Sequence, residues 1–408
     1  MPTANSTSQS EVAHFKFIAS GFLFLRDVLT FPRMWALNQF AYTGRAYQHR
    51  TGHWRVGGVF SPSNRRRLIN EQPPRTAPLH LRRTSQTKTR PSTGAFPNSV
   101  VFPGGVAEPA DDSDHWLKLF KSFGYTDDDF ATFHGVGTPT TLFQPNPILR
   151  HIALRITAIR ETFEEVGLLI CSKDHKSNRN SLYADIIPDV DVKFWQKQIS
   201  DNPERLLNLC KEYNCYPDIW ALYYWSHWLT PCHFNRRFDT VFFVTTLNNK
   251  PDNLKGSKEV TKVQWESPNG ILKKNIQLEL ELHPPQAYEL LRLAHIPDID
   301  ELAEFGKKRN KHNIDVIYPI VLRAKDGIVL LYPGDDLYPS SLDYYNDAIN
   351  FKDKTVLELR EKSTVVHRLE KLYQEKKSML ILKNYKQNNH INMGDKLLEF
   401  YYNEANKV

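Results

Sequence analysis

The chain has 408 residues, 40% of them hydrophobic and 24% charged, a globular composition long enough for one large domain or two. Its formal net charge of +7 is unevenly placed: residues 1–100 carry 14 Lys and Arg against 3 acids, and the remainder carries 39 against 43. The basic pI therefore belongs to the N-terminal stretch and argues against nucleic-acid binding by the folded body. No membrane span is expected, because Arg26, Asp27 and Arg33 interrupt the best apolar run before the roughly 18 residues that a membrane helix needs.

In chain order, residues 1–75 read as a basic extension. Arg-rich, Ser/Thr-containing and acid-poor, it fits either a mitochondrial transit peptide or a disordered arm. Phe15 to Leu25 could instead be a core strand. The run from Gln72 to Pro97 reads as loop around one short strand, Leu79 to Arg83, and leads into a strand ending at Phe102. Next come Gly104 and Gly105, adjacent glycines that let backbone approach a ligand closely. Residues 112–147 have weak periodicity and read as a lid or surface excursion.

Ile152, Ile156, Ile159, Phe163 and Val166 then recur at the spacing of one helical stripe, and Gly167 stops the helix. Glu161, Glu164 and Glu165 fall together on the opposite face, expected to be solvent-side, with only Arg160 near enough to compensate them. A solvated acidic face is the ordinary explanation for two glutamates; three on one face weaken it. A cluster of hard oxygen donors without Cys or His suits Mg²⁺ or Mn²⁺, ions that polarise a phosphoryl oxygen and acidify a bound water. The chemistry implied is hydrolysis of a phosphoanhydride.

Further along, Phe238 to Leu247 and Glu259 to Trp265 read as strands, Pro284 to Ala294 as a helix, and Ile317 to Leu331 as a hairpin about Lys325-Asp326-Gly327. The last sixty residues, rich in Lys and Glu, look helical with one strand at Met379 to Leu382. The whole is α+β. Cys171, Cys210, Cys215 and Cys232 contain no C-x-x-C pair, so neither a zinc site nor a disulfide framework is expected.

The segments Val101-Phe102-Pro103-Gly104-Gly105-Val106 and Arg160-Glu161-Thr162-Phe163-Glu164-Glu165-Val166-Gly167 together resemble the two halves of the Nudix box. Asp111 stands where that family has a glutamate, and 48 residues separate Asp111 from Arg160 where the family pattern has only a few. Such an insertion is similar to the acyl-coenzyme A diphosphatase branch of the family. So are Cys215 to Leu222, Trp225 to Pro231, Arg236 to Thr240, Val263 to Trp265 and Pro333 to Tyr338.

The resemblance implies a Nudix-type α/β/α sandwich with a mixed sheet, an insertion inside the box and a C-terminal extension. The expected units are residues 1–75, a hydrolase domain over 76–300 with its insertion at 112–147, and a strand-hairpin and helical extension over 301–408. It further implies cleavage of coenzyme A or acyl-coenzyme A to 3′,5′-ADP and (acyl-)4′-phosphopantetheine. The alternatives are another nucleoside diphosphate-X substrate, such as ADP-ribose or a dinucleotide, and a catalytically silent binding module.

Glu161, Glu164 and Glu165 would hold the metal, Arg160 would orient Glu161, and the Gly104-Gly105 backbone would shape the loop. Glu259 matches an acidic position of the branch and could complete the metal shell or act as general base. Arg236 and Arg237 could hold a substrate phosphate or form surface ion pairs. Trp220, Trp225 and Trp228 could stack an adenine, line an acyl pocket or pack the core. His115, His134 and His151 are candidates by proximity alone. The expected partner is a small-molecule substrate, and the expected compartment is mitochondrial, with a peroxisomal or cytoplasmic location as alternatives. Asn406-Lys407-Val408 is not a peroxisomal signal.

Overall fold

The computed structural model describes residues 23–25, 34–41 and 100–402, apart from 134–145, 180, 233, 235–236, 252–253, 255–259, 261–262, 264, 310–315 and 343–348. Arg236, Glu259, His134 and the expected strands Leu79 to Arg83 and Glu259 to Trp265 therefore lie wholly or mainly outside the described residues.

Two strands come first, β1 (Leu23–Leu25) and β2 (Met34–Ala41), both within the stretch read as an extension. A 3-10 turn, Pro109–Asp112, precedes the short helices α1 (His115–Ser122) and α2 (Asp127–Ala131). Then comes α3 (Pro147–Val166), the longest helix described. Its N-cap Asn146 accepts from Leu149 N, Pro147 pre-sets the first turn, and Gly167 closes it with φ 75° and an N–H donated to Phe163 O. β3 (Cys171–Ser172), α4 (Val192–Asp201), α5 (Arg205–Glu212), β4 (Tyr216–Pro217), β5 (Tyr223–Leu229) and β6 (Asp239–Leu247) follow. Next are α6 (Pro268–Ile276), α7 (Pro284–Leu293) and α8 (Ile299–Arg309). The chain ends with β7 (Val316–Ile317), β8 (Ile320–Ala324), β9 (Gly327–Leu331), β10 (Ile349–Phe351), α9 (Val356–Glu361), β11 (Val366–Leu372), β12 (Lys377–Lys383) and β13 (Lys396–Tyr401).

The central sheet runs β1-β2-β6-β5-β7, antiparallel except for the parallel pair β5 and β7. β6 alternates between two cores: Val241 and Phe243 pack with Ile152, Ile156, Ile159 and Phe163 of α3, while Phe242 and Val244 pack with Tyr288 and Leu290 of α7 and Leu302 of α8. That period of two places helices on both sides of one sheet, an α/β/α sandwich. A second mixed sheet, β10-β8-β9-β11-β12-β13, joins the α7 side through Leu369, Leu380, Leu382 and Phe400.

Three expectations are corrected. The strand ending at Phe102 is an isolated bridge residue, with the Phe102 ring edge-on to Phe242 at 5.9 Å. The described part of 112–147 is core, not surface: Trp116, Phe120, Phe130 and Phe133 are buried, and Tyr125 stacks on Trp220 at 3.7 Å. Helices of 8 and 5 residues are too short to show the periodicity that would have revealed them. The described part of the last sixty residues holds one 6-residue helix and four strands, one of which, β12, contains the expected Met379 to Leu382. Lys and Glu suggested helix there, but His367-Arg368-Leu369-Glu370 and Lys396-Leu397-Leu398-Glu399 are sheet residues whose charged side chains serve ion pairs or an exposed face.

Candidate active site

Loop and helix meet despite the long insertion between them. Gly104 N donates to Glu165 Oε2 at 3.2 Å, and a Cβ added at Gly105 would lie 2.1 Å from the Glu161 carboxyl carbon. A side chain at 105 would therefore displace the carboxyl group of the first glutamate.

Arg160 is the hub of this junction and is almost fully buried, at 2% exposure. Its Nε and one terminal nitrogen grip the two Asp111 oxygens, each at 2.9 Å, in a bidentate fork. The same nitrogen donates to the Val106 carbonyl at 2.7 Å, and the other donates to Glu161 at 2.9 Å and Glu164 at 2.7 Å. Asp111 also accepts from Thr157 Oγ1 and from Glu108 N, each at 2.9 Å. The aspartate in place of the expected glutamate therefore locks the 3-10 turn to the helix through Arg160. Three carboxyl groups face one guanidinium; burial works against the Arg160 charge, but Asp111, Glu161 and Glu164 around it raise its already high pKa.

The acidic face is not solvent-side, in contrast to the expectation. Glu165 is buried, and the Glu161 and Glu164 side chains are only 16% and 15% exposed. Burial pushes the Glu161 carboxyl up to about 8; the Arg160 charge works against that shift, and Glu164 and Asp111 add to it. Gln196 of α4 donates to the carbonyls of Phe163 and Glu164, both at 3.1 Å, and steadies the end of α3.

The glutamates are oxygen donors suited to a hard divalent cation. Glu161 and Glu164 lean on Arg160 and Glu165 on the Gly104 amide. Among the described residues, the side chains whose ligand atoms already converge are three cysteines, not these glutamates.

A family model described as the NUDT19 Nudix domain matches residues 70–293, and one described as the NUDT19 C-terminal domain matches residues 321–377. The chain belongs to the Nudix family. The acyl-coenzyme A diphosphatase NUDT19 of Xenopus laevis is 34% identical over 303 residues, covering 69% of this chain and 78% of that protein. The proteins of the same name from Gallus gallus and Homo sapiens are each 33% identical, covering 71% and 73% of this chain and 81% and 83% of theirs. A Nudix hydrolase structure from Alicyclobacillus acidocaldarius aligns at 22% identity with a TM-score of 0.37, over 52% of this chain and 84% of that one. Nudix hydrolases generally need divalent metal ions, and the oxygen-donor set on the Nudix helix fits that requirement.

Outside the Nudix box the expected residues scatter. Arg237 is buried at 5% exposure and its Nε donates to Thr230 O at 3.0 Å, between β5 and β6. Trp225 and Trp228 are core residues whose indole N–H groups donate to Glu289 at 2.8 and 2.9 Å, and Glu289 pairs in turn with Arg292. Trp220 is packed among the aromatics of the insertion. His115 is exposed on Ser113, and His151 is buried against Arg155 on the other side of the Nudix helix. Asp111 was noted from its spacing alone; neither its fork on Arg160 nor the Gln196 cap carries a sequence signal beyond residue type.

Proposed function

We propose that the chain hydrolyses the diphosphate of coenzyme A or acyl-coenzyme A, giving 3′,5′-ADP and (acyl-)4′-phosphopantetheine, with Mg²⁺ or Mn²⁺ held by Glu161, Glu164 and Glu165. The observation that carries this reading is the junction itself, where Gly104 and Gly105 sit directly on Glu165 and Glu161 across the insertion. The likeness to acyl-coenzyme A diphosphatases supports the substrate class. When bound, the cation supplies a polarised phosphoryl oxygen and an acidified water.

The protein's own residues prepare that site. Arg160 positions Glu161 and Glu164 through one nitrogen while Asp111 and the Val106 carbonyl fix its other side. The Gly104 amide holds Glu165, so the glycine loop and the carboxylates keep one geometry. Glu161, whose pKa burial raises, would have to give up its proton to hold a cation. Glu259 as a further ligand or base, and Arg236 and Arg237 as contacts to the 3′-phosphate, belong to the same proposal. We propose a mitochondrial location on the acid-poor, Arg-rich composition of residues 1–75, with β1 and β2 retained in the folded protein because they pair into the central sheet.

A panel of coenzyme A, 3′-dephospho-coenzyme A and ADP-ribose, read by phosphorus NMR of the products, tests the substrate. Coenzyme A is expected to be cleaved faster than the other two, because a cationic pocket built for its 3′-phosphate is left unsatisfied without it. Equal kcat/KM for coenzyme A and the dephospho form would overturn the choice and favour another nucleoside diphosphate-X substrate.

A further inference from the structure

Cys171 meets Cys210 and Cys215, from a later segment of the chain, in the core that also holds the apolar side of the Nudix helix. The Sγ atoms of Cys171, Cys210 and Cys215 all lie within 4.8 Å of one another, all three residues are 0% exposed, and none is in a disulfide. Local structure brings them there. Cys171 opens β3 shortly after the helix ends, Cys210 sits in the last turn of α5, and Cys215 immediately precedes β4, which pairs with β3. Between the last two, Asn214 adopts φ 47° and turns the chain back so that Cys215 N donates to Cys210 O at 2.9 Å. A buried thiol packs as a small hydrophobe, so any one of these needs no explanation. Three sharing one point from three elements form a sulfur-only ligand set.

We propose that Cys171, Cys210 and Cys215 bind a soft thiophilic cation of low coordination number, Cu(I) being the type. Thiolate donors select Cu(I) and zinc over the hard ions that suit the glutamates. A trigonal set with metal–sulfur bonds of about 2.3 Å needs sulfurs about 4 Å apart, which the 4.8 Å spread accommodates with small rotamer changes. A structural zinc site calls for four ligands. Among the described residues no fourth His, Cys, Asp or Glu joins the group, which favours a three-coordinate ion. Each sulfur that ligates gives up its proton to solvent, and Lys173 supplies a neighbouring positive charge. The bound ion would tie β3 to α5, and so brace the α4–α5 segment whose Gln196 holds the end of the Nudix helix. The role is structural and separate from the hydrolytic metal.

The test uses the full chain, reduced with a phosphine rather than a thiol, and titrated with Cu(I) against a chromophoric chelator. One Cu(I) per chain is expected, with a shell of three sulfurs in X-ray absorption, a raised thermal midpoint, and affinity lowered about tenfold or more in Cys210→Ala and Cys215→Ala. Circular dichroism checks that each variant folds, and the sulfur count of the wild-type protein decides the matter if neither does. Absence of binding in competition with the chelator, a shell dominated by nitrogen or oxygen, or unchanged affinity in folded variants would each overturn the proposal. So would zinc binding that excludes Cu(I).

Discussion

At the scale of single residues, the account rests on what Arg160 and Glu161 do for each other. Glu161 has a folded-state pKa raised to about 8 against an ordinary 4.5, so the folded apo-protein favours its protonated form. The stability this contributes is fully present below the unfolded value and is lost as pH rises from about 5 through about 8. A divalent cation reverses the effect, since it binds the ionised form. The thermal shift given by Mg²⁺ is therefore expected to grow between pH 6 and 9, and to lose that dependence in Glu161→Gln. A shift independent of pH in the wild-type protein would contradict the assignment. Gly105→Ala sets its Cβ against the carboxyl end of the Glu161 side chain rather than against backbone, so the side chain must swing off Arg160 while the fold stays put. It should cost less than about 1 kcal/mol of stability while reducing turnover about a hundredfold, as measured by chemical denaturation and initial rates. Asp111→Asn breaks a fork between two groups each 2% exposed and should cost about 3 kcal/mol in the same denaturation experiment.

At the scale of elements, the sequence made some parts legible for physical reasons and hid others. The Nudix helix was legible because five apolar residues at helical spacing and a Gly at its end agree with one another, while its start at Pro147 fell within the segment read as insertion. β6 was legible by its β-branched and aromatic alternation, and the β8–β9 hairpin by its Asp-Gly turn. The insertion was not, since α1 and α2 are short and their core contribution comes from aromatics scattered at irregular spacing. β12 was legible from its apolar run at Met379 to Leu382, but β11 and β13 were hidden because helix-favouring Lys and Glu occupy exposed or ion-paired sheet positions, where tertiary context overrides propensity. The sequence placed the three glutamates on one helix face but not their burial, because the loop that covers them bonds across separations of 54 and 61 residues. A test of the insertion's structural role is Phe120→Ala. Phe120 is 0% exposed and touches the rings of Tyr125, Phe130, Tyr216 and Trp220, so a loss of about 3–5 kcal/mol is expected in denaturant unfolding. A loss under about 1 kcal/mol would return the segment to the status of a surface excursion.

At the scale of the molecule, the two sheets and their helices depend on one another. β2 pairs with β6 along eight residues, so removing residues 1–42 would bare the edge of a fully buried strand. At the other end, Asn275 of α6 both donates to Tyr401 O and accepts from Tyr401 N, and Tyr288 of α7 bonds His367 of β11. The proposed hydrolytic site is built by α3 and the glycine loop, but the sheet behind α3 is closed on its far face by α7, α8 and the second sheet. The central claim is that three glutamates on the Nudix helix serve a metal-dependent cleavage of coenzyme A. It is tested most directly by measuring Mg²⁺-dependent release of 3′,5′-ADP from coenzyme A by wild-type protein, Glu164→Gln and Glu165→Gln, with melting curves recorded alongside. Gln at 165 can still accept from the Gly104 amide, and either substitution relieves like-charge repulsion on the helix. Turnover should therefore fall about a hundredfold or more in each variant with the metal-free melting point unchanged or slightly raised. Near-native turnover at saturating Mg²⁺, or unfolding of either variant without metal, would contradict the account.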